Sequence, residues 1–326
     1  MVKTVSSLHV VRLALILSAG TVLGLAVYGG RSGHITDPPL TAKQKDALAV
    51  VAPKPASQPA PPIYFPNGGT QLLPQYRLIA IYGTPGDAVL GALGAQSLPD
   101  TLTRVKAMAA SYQPLFPEAA LPTLEIITTV ASASPTDNKD YSREIEISTL
   151  QPWIDAARAA GVYTVLDLQP GRTDFLTQAK QYESLLKQPF VGLALDPEWR
   201  LAPNQKPLAQ IGQVSIEEVN SVADWLSTLT RQNRLPQKLF LLHEFKLTMI
   251  NHRELLNTSH PELAYIIQMD GQGAPPVKHD TWVAIMAGAP SGVRFGWKNF
   301  YAKDQPMLTP QQTMAITPMP WYVSYQ

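Results

Sequence analysis

From residue 70 onwards, short apolar runs alternate with stretches whose apolar residues recur at helical spacing. An apolar run of about four to eight residues is typical of a buried strand, and spacing such as that of Leu150, Ile154 and Ala157 is typical of a helix. We interpret the following runs as strands: 77–82, 124–131, 163–168, 190–195, 238–243, 264–269, 282–287 and 321–325. Strands that alternate with helices predict parallel pairing with right-handed crossovers.

This alternation predicts an α/β fold. Eight strand–helix units in a chain of this length match a (β/α)8 TIM barrel. The alternative is an open, doubly wound sheet. Such a sheet usually has a glycine-rich phosphate loop after its first strand, and Gly83-Thr84-Pro85-Gly86 does not match that pattern. We expect the last two units to be irregular, because glycine and proline are frequent after Met269 and after Ala287.

The first 68 residues differ from the rest of the chain. Lys3 and Arg12 precede an apolar segment at 13–28, which predicts a signal peptide or membrane anchor over residues 1–30. No A-x-A cleavage site follows this segment, so an uncleaved anchor is the preferred interpretation. Residues 31–68 are rich in proline and predict a disordered linker, and residues 69–326 then form the barrel domain. We therefore expect an exported protein, either secreted or held at the membrane of the cell envelope by its N-terminal segment.

Composition and motifs exclude several classes of function. The 326 residues carry a formal net charge of +1 without a basic stripe, so we expect no nucleic-acid partner. The chain contains no cysteine, which excludes disulfides, thiolate metal sites and a cysteine nucleophile. No G-x-S-x-G motif is present. Only His243 among the histidines ends a predicted strand, so we expect neither a metal site nor a cofactor.

The run 190–195 ends in Asp196-Pro197-Glu198. On an extended chain these two carboxylates point to the same side, and buried acids are costly unless they are paired or face a cleft. Such a pair can keep a proton on one carboxyl near neutral pH while the other stays charged. We therefore predict Glu198 and Asp196 as catalytic residues. A purely structural role remains open, with Asp196 capping the next helix and Glu198 in a salt bridge.

Other polar and aromatic residues lie at the ends of the predicted strands or just after them. In a TIM barrel the active site lies at the C-terminal ends of the strands, so these side chains are expected to meet there. Carboxylates, an imidazole, amides and aromatic rings around one cleft are typical of carbohydrate hydrolysis. The predicted substrate-binding residues are Tyr82, Asp167, Gln169, Trp199, His243, Asp270, Trp297 and Lys298. Taken singly, each of them also has a structural interpretation, such as a core tryptophan or a hydrogen-bonded buried histidine.

Several of these segments carry a resemblance to known proteins. The segment Ala194-Leu195-Asp196-Pro197-Glu198-Trp199 resembles a motif in a group of uncharacterised exported bacterial proteins. The segments 165–172, 242–245, 269–271 and 296–301 resemble the same group. The resemblance covers roughly residues 75–326 and implies a shared fold and an envelope location.

A more distant resemblance is to the family 18 glycoside hydrolases, the chitinase-like barrels, whose fourth strand ends in D-G-x-D-x-D-x-E. Gly192, Asp196 and Glu198 match the glycine, the last aspartate and the glutamate of that pattern. Val191 and Ala194 stand where its first two aspartates belong. The resemblance implies that Glu198 is the general acid. It also implies that Asp196 raises the pKa of Glu198 and orients an acetamido group of the substrate.

The leading hypothesis is an exported, glycoside-hydrolase-like barrel that acts on an envelope or extracellular glycan, with a polysaccharide or peptidoglycan-like ligand. The alternative is a non-catalytic protein that binds a glycan or peptide on the same scaffold. The departures from the family pattern at Val191 and Ala194 favour this alternative. A third hypothesis is a scaffold for an envelope complex.

Overall fold

The computed structural model describes residues 63–66 and 68–326. The predicted signal or anchor at 1–30, and the linker up to residue 62, lie outside the described residues. Eight parallel strands form the central sheet: β1 Tyr76–Gly83, β2 Ala119–Ala131, β3 Tyr163–Leu168, β4 Val191–Leu195, β5 Lys238–Glu244, β6 Leu263–Met269, β7 Arg294–Asn299 and β8 Tyr322–Tyr325. Strand β1 pairs with both β2 and β8, so the sheet closes. The predicted (β/α)8 barrel is confirmed, and the open sheet is excluded.

Helices surround the barrel as crossover connections. They are α1 Leu98–Tyr112, α2 Ile147–Ala159, α3 Phe175–Gln181, α4 Glu183–Leu186, α5 Ile216–Gln232, α6 Pro275–Met286 and α7 Pro310–Met314. Four short 3-10 helices lie at Gln113–Leu115, Pro197–Trp199, Leu247–Met249 and Arg253–Leu255. Short strands at Ser142–Glu144, Val214–Ser215 and Ile250–Asn251 complete the connections. Within residues 63–66 and 68–326, none of the helices has the length and hydropathy that a bilayer span needs.

Helix α5 illustrates how the sequence defines these elements. The Ser215 side chain accepts a hydrogen bond from the Glu218 amide and so caps the first turn. Glu217 and Glu218 place negative charge near the positive end of the helix dipole. Val219, Val222 and Leu226 form the buried face. Burial of this apolar face fixes the helix against the outside of the barrel.

Side chains on each barrel strand point alternately into the barrel and outwards to the helices. The inward apolar side chains form one buried cluster and include Leu78, Ala80, Val165, Ala194, Leu239, Leu241 and Ile266. A second, larger cluster lies between the strands and the helices and includes Leu124, Leu166, Leu193, Phe240, Ile267 and Trp297. The barrel is therefore packed on both faces of its sheet.

The prediction of a strand at 282–287 is wrong. Most of that segment lies in helix α6, where Trp282 and Ile285 are buried on one face. A short apolar run has the same appearance in a buried strand and in a buried helix, so periodicity alone could not distinguish them. The seventh strand is instead Arg294–Asn299, whose polar and apolar residues alternate. Of the last two units, only the one after β7 has a very short helix, Pro310–Met314.

An aromatic cluster closes the N-terminal end of the barrel. The ring centroid of Phe65 lies 5.4 Å from that of Tyr76, 6.4 Å from that of Tyr163 and 5.2 Å from that of Phe190. Phe65 is only 2% exposed. The packed core therefore includes a residue that lies four positions before the predicted start of the barrel domain.

We expect Phe65→Ala to lower the free energy of unfolding by about 3–5 kcal/mol, because it removes a fully buried aromatic ring. The neighbouring Tyr64 is 55% exposed and provides the matched control. Tyr64→Ala should change stability by less than about 0.5 kcal/mol. Urea unfolding followed by tryptophan fluorescence measures both. If Phe65→Ala lowered the free energy of unfolding as little as Tyr64→Ala, Phe65 would not be part of the core.

Candidate active site

A cavity of about 1010 Å³ opens at the C-terminal ends of the barrel strands. Residues at or just after the ends of all eight strands line it. Seven of the ten residues predicted from the sequence lie there: Tyr82, Gln169, Asp196, Glu198, Trp199, Asp270 and Lys298. Asp167 and His243 are fully buried and do not line the cavity. The expected face of the barrel thus gathers carboxylates, a lysine, an amide and aromatic rings around one opening.

Asp196 and Glu198 both line the cavity, although the chain between them is not extended. Strand β4 ends at Leu195, and Pro197–Trp199 forms a turn of 3-10 helix. The Trp199 amide closes this turn on the Asp196 carbonyl at 3.2 Å. The strand alternation that led us to place both acids on one side therefore does not apply. The tight turn brings both to the wall instead.

Asp196 is a buried carboxyl that lacks a full set of partners. It is 2% exposed, and its Oδ1 atom is buried without a hydrogen bond. Burial, together with the negative charge of Glu198, raises the pKa of Asp196 well above its usual range. A protonated Asp196 next to Glu198 avoids two buried like charges.

Glu198 has the properties of an acid that works near neutral pH. Burial raises its pKa to about 7, and the negative charge of Asp270 contributes to this rise. The positive charges of Lys298 and His243 oppose the rise. A carboxyl group with a pKa close to the ambient pH is well suited to general acid catalysis.

Tyr82 and Lys298 of the cavity wall are in contact with each other, and Tyr82 is also bonded to the buried Asp167. The Tyr82 hydroxyl donates to Asp167 Oδ2 at 2.9 Å, and Lys298 Nζ lies 3.5 Å from the centroid of the Tyr82 ring. Burial raises the pKa of Asp167 to about 6, against the opposing charge of His243. Because Lys298 covers the ring face of Tyr82, that face is not open to stack on a sugar.

His243 joins two buried carboxylates beneath the cavity. Its Nδ1 lies 3.0 Å from Asp270 Oδ2, and its Nε2 lies 2.9 Å from Glu125 Oε1. The Tyr322 hydroxyl donates to Glu125 Oε2 at 2.9 Å. Glu125 and Tyr322 were not among the residues predicted from the sequence. A lone glutamate inside the apolar run 124–131 was the available signal, because a buried strand tolerates a charge only with a partner.

The prediction that Trp297 lines the cleft is wrong. Neighbouring residues of a strand face opposite sides, so Lys298 points into the barrel and Trp297 points outwards. The Trp297 ring packs against Trp282 of helix α6 at 5.7 Å between centroids. Its Nε1 donates to Asn299 Oδ1 at 2.9 Å. Trp297 is therefore part of the core between sheet and helices.

The rim of the cavity combines exposed apolar and aromatic side chains with lysines. Val89 and Leu208 are 91% and 79% exposed and belong to the loops after β1 and β4. Aromatic residues Phe245, Phe300 and Tyr301, and lysines Lys246 and Lys303, complete this rim. Trp199 Nε1 is buried without a hydrogen-bond partner. The rim therefore offers ring faces and one free donor to a bound molecule.

The loop after β7 is fixed to its neighbour by a buried ion pair. Asp304 pairs with Lys278 of helix α6 and accepts hydrogen bonds from the amides of Gly273 and Phe300. The Lys278 ammonium also donates to the Lys298 carbonyl oxygen. These contacts hold Phe300 and Tyr301 at the rim.

Several of the buried acids form hydrogen bonds with other side chains of the same protein, such as Tyr82 and His243. In the part of the chain that the structure describes, no group of three or more His, Asp or Glu side chains has the arrangement of a metal site.

Comparison with known proteins yields weak similarities. No protein-family model matches the chain, and no curated protein matches it. Among solved structures, a xylanase and α-amylase inhibitor protein in complex with trehalose is similar at 12% identity and a TM-score of 0.43. The match covers 76% of this chain and 92% of the inhibitor. A tryptophan synthase from M. tuberculosis is similar at 11% identity and a TM-score of 0.35, over 77% of this chain and 82% of the synthase. At these values neither similarity supports a statement about function.

Proposed function

We propose that the cavity binds a glycan and that Glu198 is the general acid in cleavage of a glycosidic bond. One observation carries this proposal: Glu198 lines the cavity, and burial together with the charge of Asp270 raises its pKa to about 7. Such a carboxyl still holds a proton near neutral pH and can give it to a leaving oxygen. The distant resemblance to family 18 assigns the same role to Glu198.

The reaction would proceed by transfer of the Glu198 proton to the glycosidic oxygen. The bond between that oxygen and C1 of the sugar then breaks, and the leaving sugar departs as an alcohol. A water molecule provides the new oxygen at C1, and its proton restores Glu198. Asp196, next to Glu198 and with a free buried oxygen, would bind a polar group of the substrate such as an acetamido group.

Trp199 is the aromatic residue best placed to hold a sugar ring. It lines the cavity directly after Glu198, and its indole N–H has no partner in the protein. An aromatic face next to a free donor suits a sugar, which has apolar ring faces and polar edges. Gln169 and Asp270 at the same wall would bind hydroxyl groups.

The biological setting belongs to the same proposal. The charged and apolar pattern of residues 1–30 supports export with a membrane anchor or signal peptide, and the proline-rich residues 31–68 support a linker. An envelope polysaccharide or a peptidoglycan-like polymer is then the accessible glycan.

A specific observation favours a second function, non-catalytic glycan binding. Ala194 stands where the family 18 pattern has an aspartate, and its methyl group packs inside the apolar barrel interior. The carboxylate that the pattern places two residues before Asp196 is thus replaced by an apolar methyl group. The same cavity could then bind a glycan without cleaving it.

We expect Glu198→Gln to reduce turnover by at least about 100-fold, because general acid catalysis contributes about 10²–10⁴-fold in rate. Purified protein is incubated with chitin oligomers, peptidoglycan and mixed polysaccharides, and products are identified by mass spectrometry. Glu254 is exposed and does not line the cavity, so Glu254→Gln should match the wild type. A Glu198→Gln rate within a few-fold of the wild type would contradict the assignment.

The same screen tests the second function. If the wild type forms no product but retains a glycan in a pull-down, the protein binds without catalysis. In that case Glu198→Gln should retain the glycan, and Trp199→Ala should lose it. Retention by Trp199→Ala would argue against the cavity as the binding site.

The pH dependence of the reaction follows from the proton on Glu198. The acid is active while protonated, so kcat/KM should fall as the pH rises through about 7, the pKa of Glu198. Lys298→Met removes a positive charge that opposes this pKa, and should therefore move the decline to higher pH. Carboxyl carbon NMR of Glu198 measures the same shift without a substrate. Lys180→Met, at an exposed site away from the cavity, should leave the pKa of Glu198 unchanged.

A further inference from the structure

We propose that Glu125 and His243 are positioning residues, which hold the side chain of Asp270 at the cavity wall, where its carboxyl group acts on Glu198. This inference rests on the function proposed above for Glu198. It assigns a role to Glu125 and Tyr322, which lie in the barrel interior and do not line the cavity.

A continuous chain of hydrogen bonds runs from the barrel interior to the cavity. It begins at the Tyr322 hydroxyl, which donates to Glu125 Oε2 at 2.9 Å. The other oxygen of Glu125 lies 2.9 Å from His243 Nε2, and His243 Nδ1 lies 3.0 Å from Asp270 Oδ2. Asp270 is the one member that reaches the cavity wall. The hydrogen bonds of Glu125 therefore reach the cavity wall through His243 and Asp270.

The two carboxylates require a doubly protonated imidazole. Each ring nitrogen of His243 faces a carboxylate oxygen, and an ionised carboxylate only accepts hydrogen bonds. Both nitrogens must therefore carry a proton to satisfy the pair. Burial lowers the pKa of His243, but the hydrogen bonds to Asp270 and Glu125 outweigh burial and leave the pKa well above its usual value.

Charged and titratable groups surround His243 from most sides of the barrel. The Tyr82 ring lies 6.1 Å away between centroids. The acidic groups that interact with the imidazolium are Glu125, Asp167, Asp196, Glu198 and Asp270. Lys298 is the nearby cation, and its Nζ lies 3.5 Å from the centroid of the Tyr82 ring. The surplus of acids around His243 favours its charged form.

Asp270 is fixed at one oxygen and free at the other. Oδ2 contacts His243, whereas Oδ1 is buried without a hydrogen bond. The contact with His243 fixes the Asp270 side chain in the cavity wall, and the charge of Asp270 contributes to the raised pKa of Glu198. Glu125 and His243 are fully buried and do not line the cavity, so neither touches a substrate, and their hydrogen bonds reach the cavity wall through Asp270.

The first test observes His243 directly in the full-length wild type. Nitrogen NMR of labelled histidine, assigned with His243→Gln, should show both ring nitrogens protonated at pH 8. Glu125→Gln keeps the size of the side chain but removes one carboxylate, so one ring nitrogen should lose its proton at that pH. A singly protonated His243 in the wild type would overturn the proposal, and this readout needs no variant of Asp270.

The second test observes Glu198 by carboxyl carbon NMR, assigned with Glu198→Gln. Asp270→Asn should lower the pKa of Glu198 by about one unit, because it removes a nearby negative charge. Asp280→Asn, at an exposed site of helix α6, is the matched control and should cause no shift. If the pKa of Glu198 stayed the same in Asp270→Asn, the proposal would be overturned. Neither test uses a substrate, so both are distinguishable from an absence of glycan turnover, which would overturn the proposed function alone.

Discussion

The constraint on which this structure depends is the burial of charge inside a closed barrel. Every second residue of a barrel strand must point inwards, where no water is available to solvate it. The lower layers meet this constraint with apolar side chains such as Val165 and Leu241. The layer at the C-terminal ends of the strands instead carries Glu125, Asp167 and His243, all fully buried. These charges persist only because each has an oppositely charged or hydrogen-bonding partner.

The pairing in that layer is incomplete, and the resulting surplus of acids affects the pKa values of its carboxyl groups. Two cations, His243 and Lys298, face a larger number of carboxyl groups: Glu125, Asp167, Asp196, Glu198 and Asp270. Since two positive charges cannot neutralise five buried negative charges, some of the carboxyls keep their protons. Burial is the main cause of the raised pKa values of Asp167, Asp196 and Glu198, and the surplus of neighbouring acids adds to it. The raised pKa of Glu198 thus depends on several groups of this layer.

Most of this architecture could be predicted from the sequence, because a buried strand appears in it as a short apolar run. Strand β7 was missed because its inward positions include Gly296 and Lys298, so it lacks an apolar run. The same error placed Trp297 in the cleft, since its true register on β7 was unknown. Glu125 was missed for a different reason: it lies in the middle of strand β2, and reading only strand ends excludes it. Glu125 meets its partner His243, 118 residues away in the chain, only when the barrel closes. Local sequence patterns do not indicate such a contact.

The two ends of the barrel separate stability from chemistry. Phe65, Tyr76 and Tyr163 close the N-terminal end with aromatic packing, whose loss creates a cavity in the core. The C-terminal end is open and gathers unsatisfied polar atoms of Asp196, Trp199 and Asp270. Unsatisfied buried groups cost stability, so their concentration at one end is expected where a ligand completes their hydrogen bonds. The energetic cost of these unsatisfied groups supports the proposed binding of a ligand at the open end.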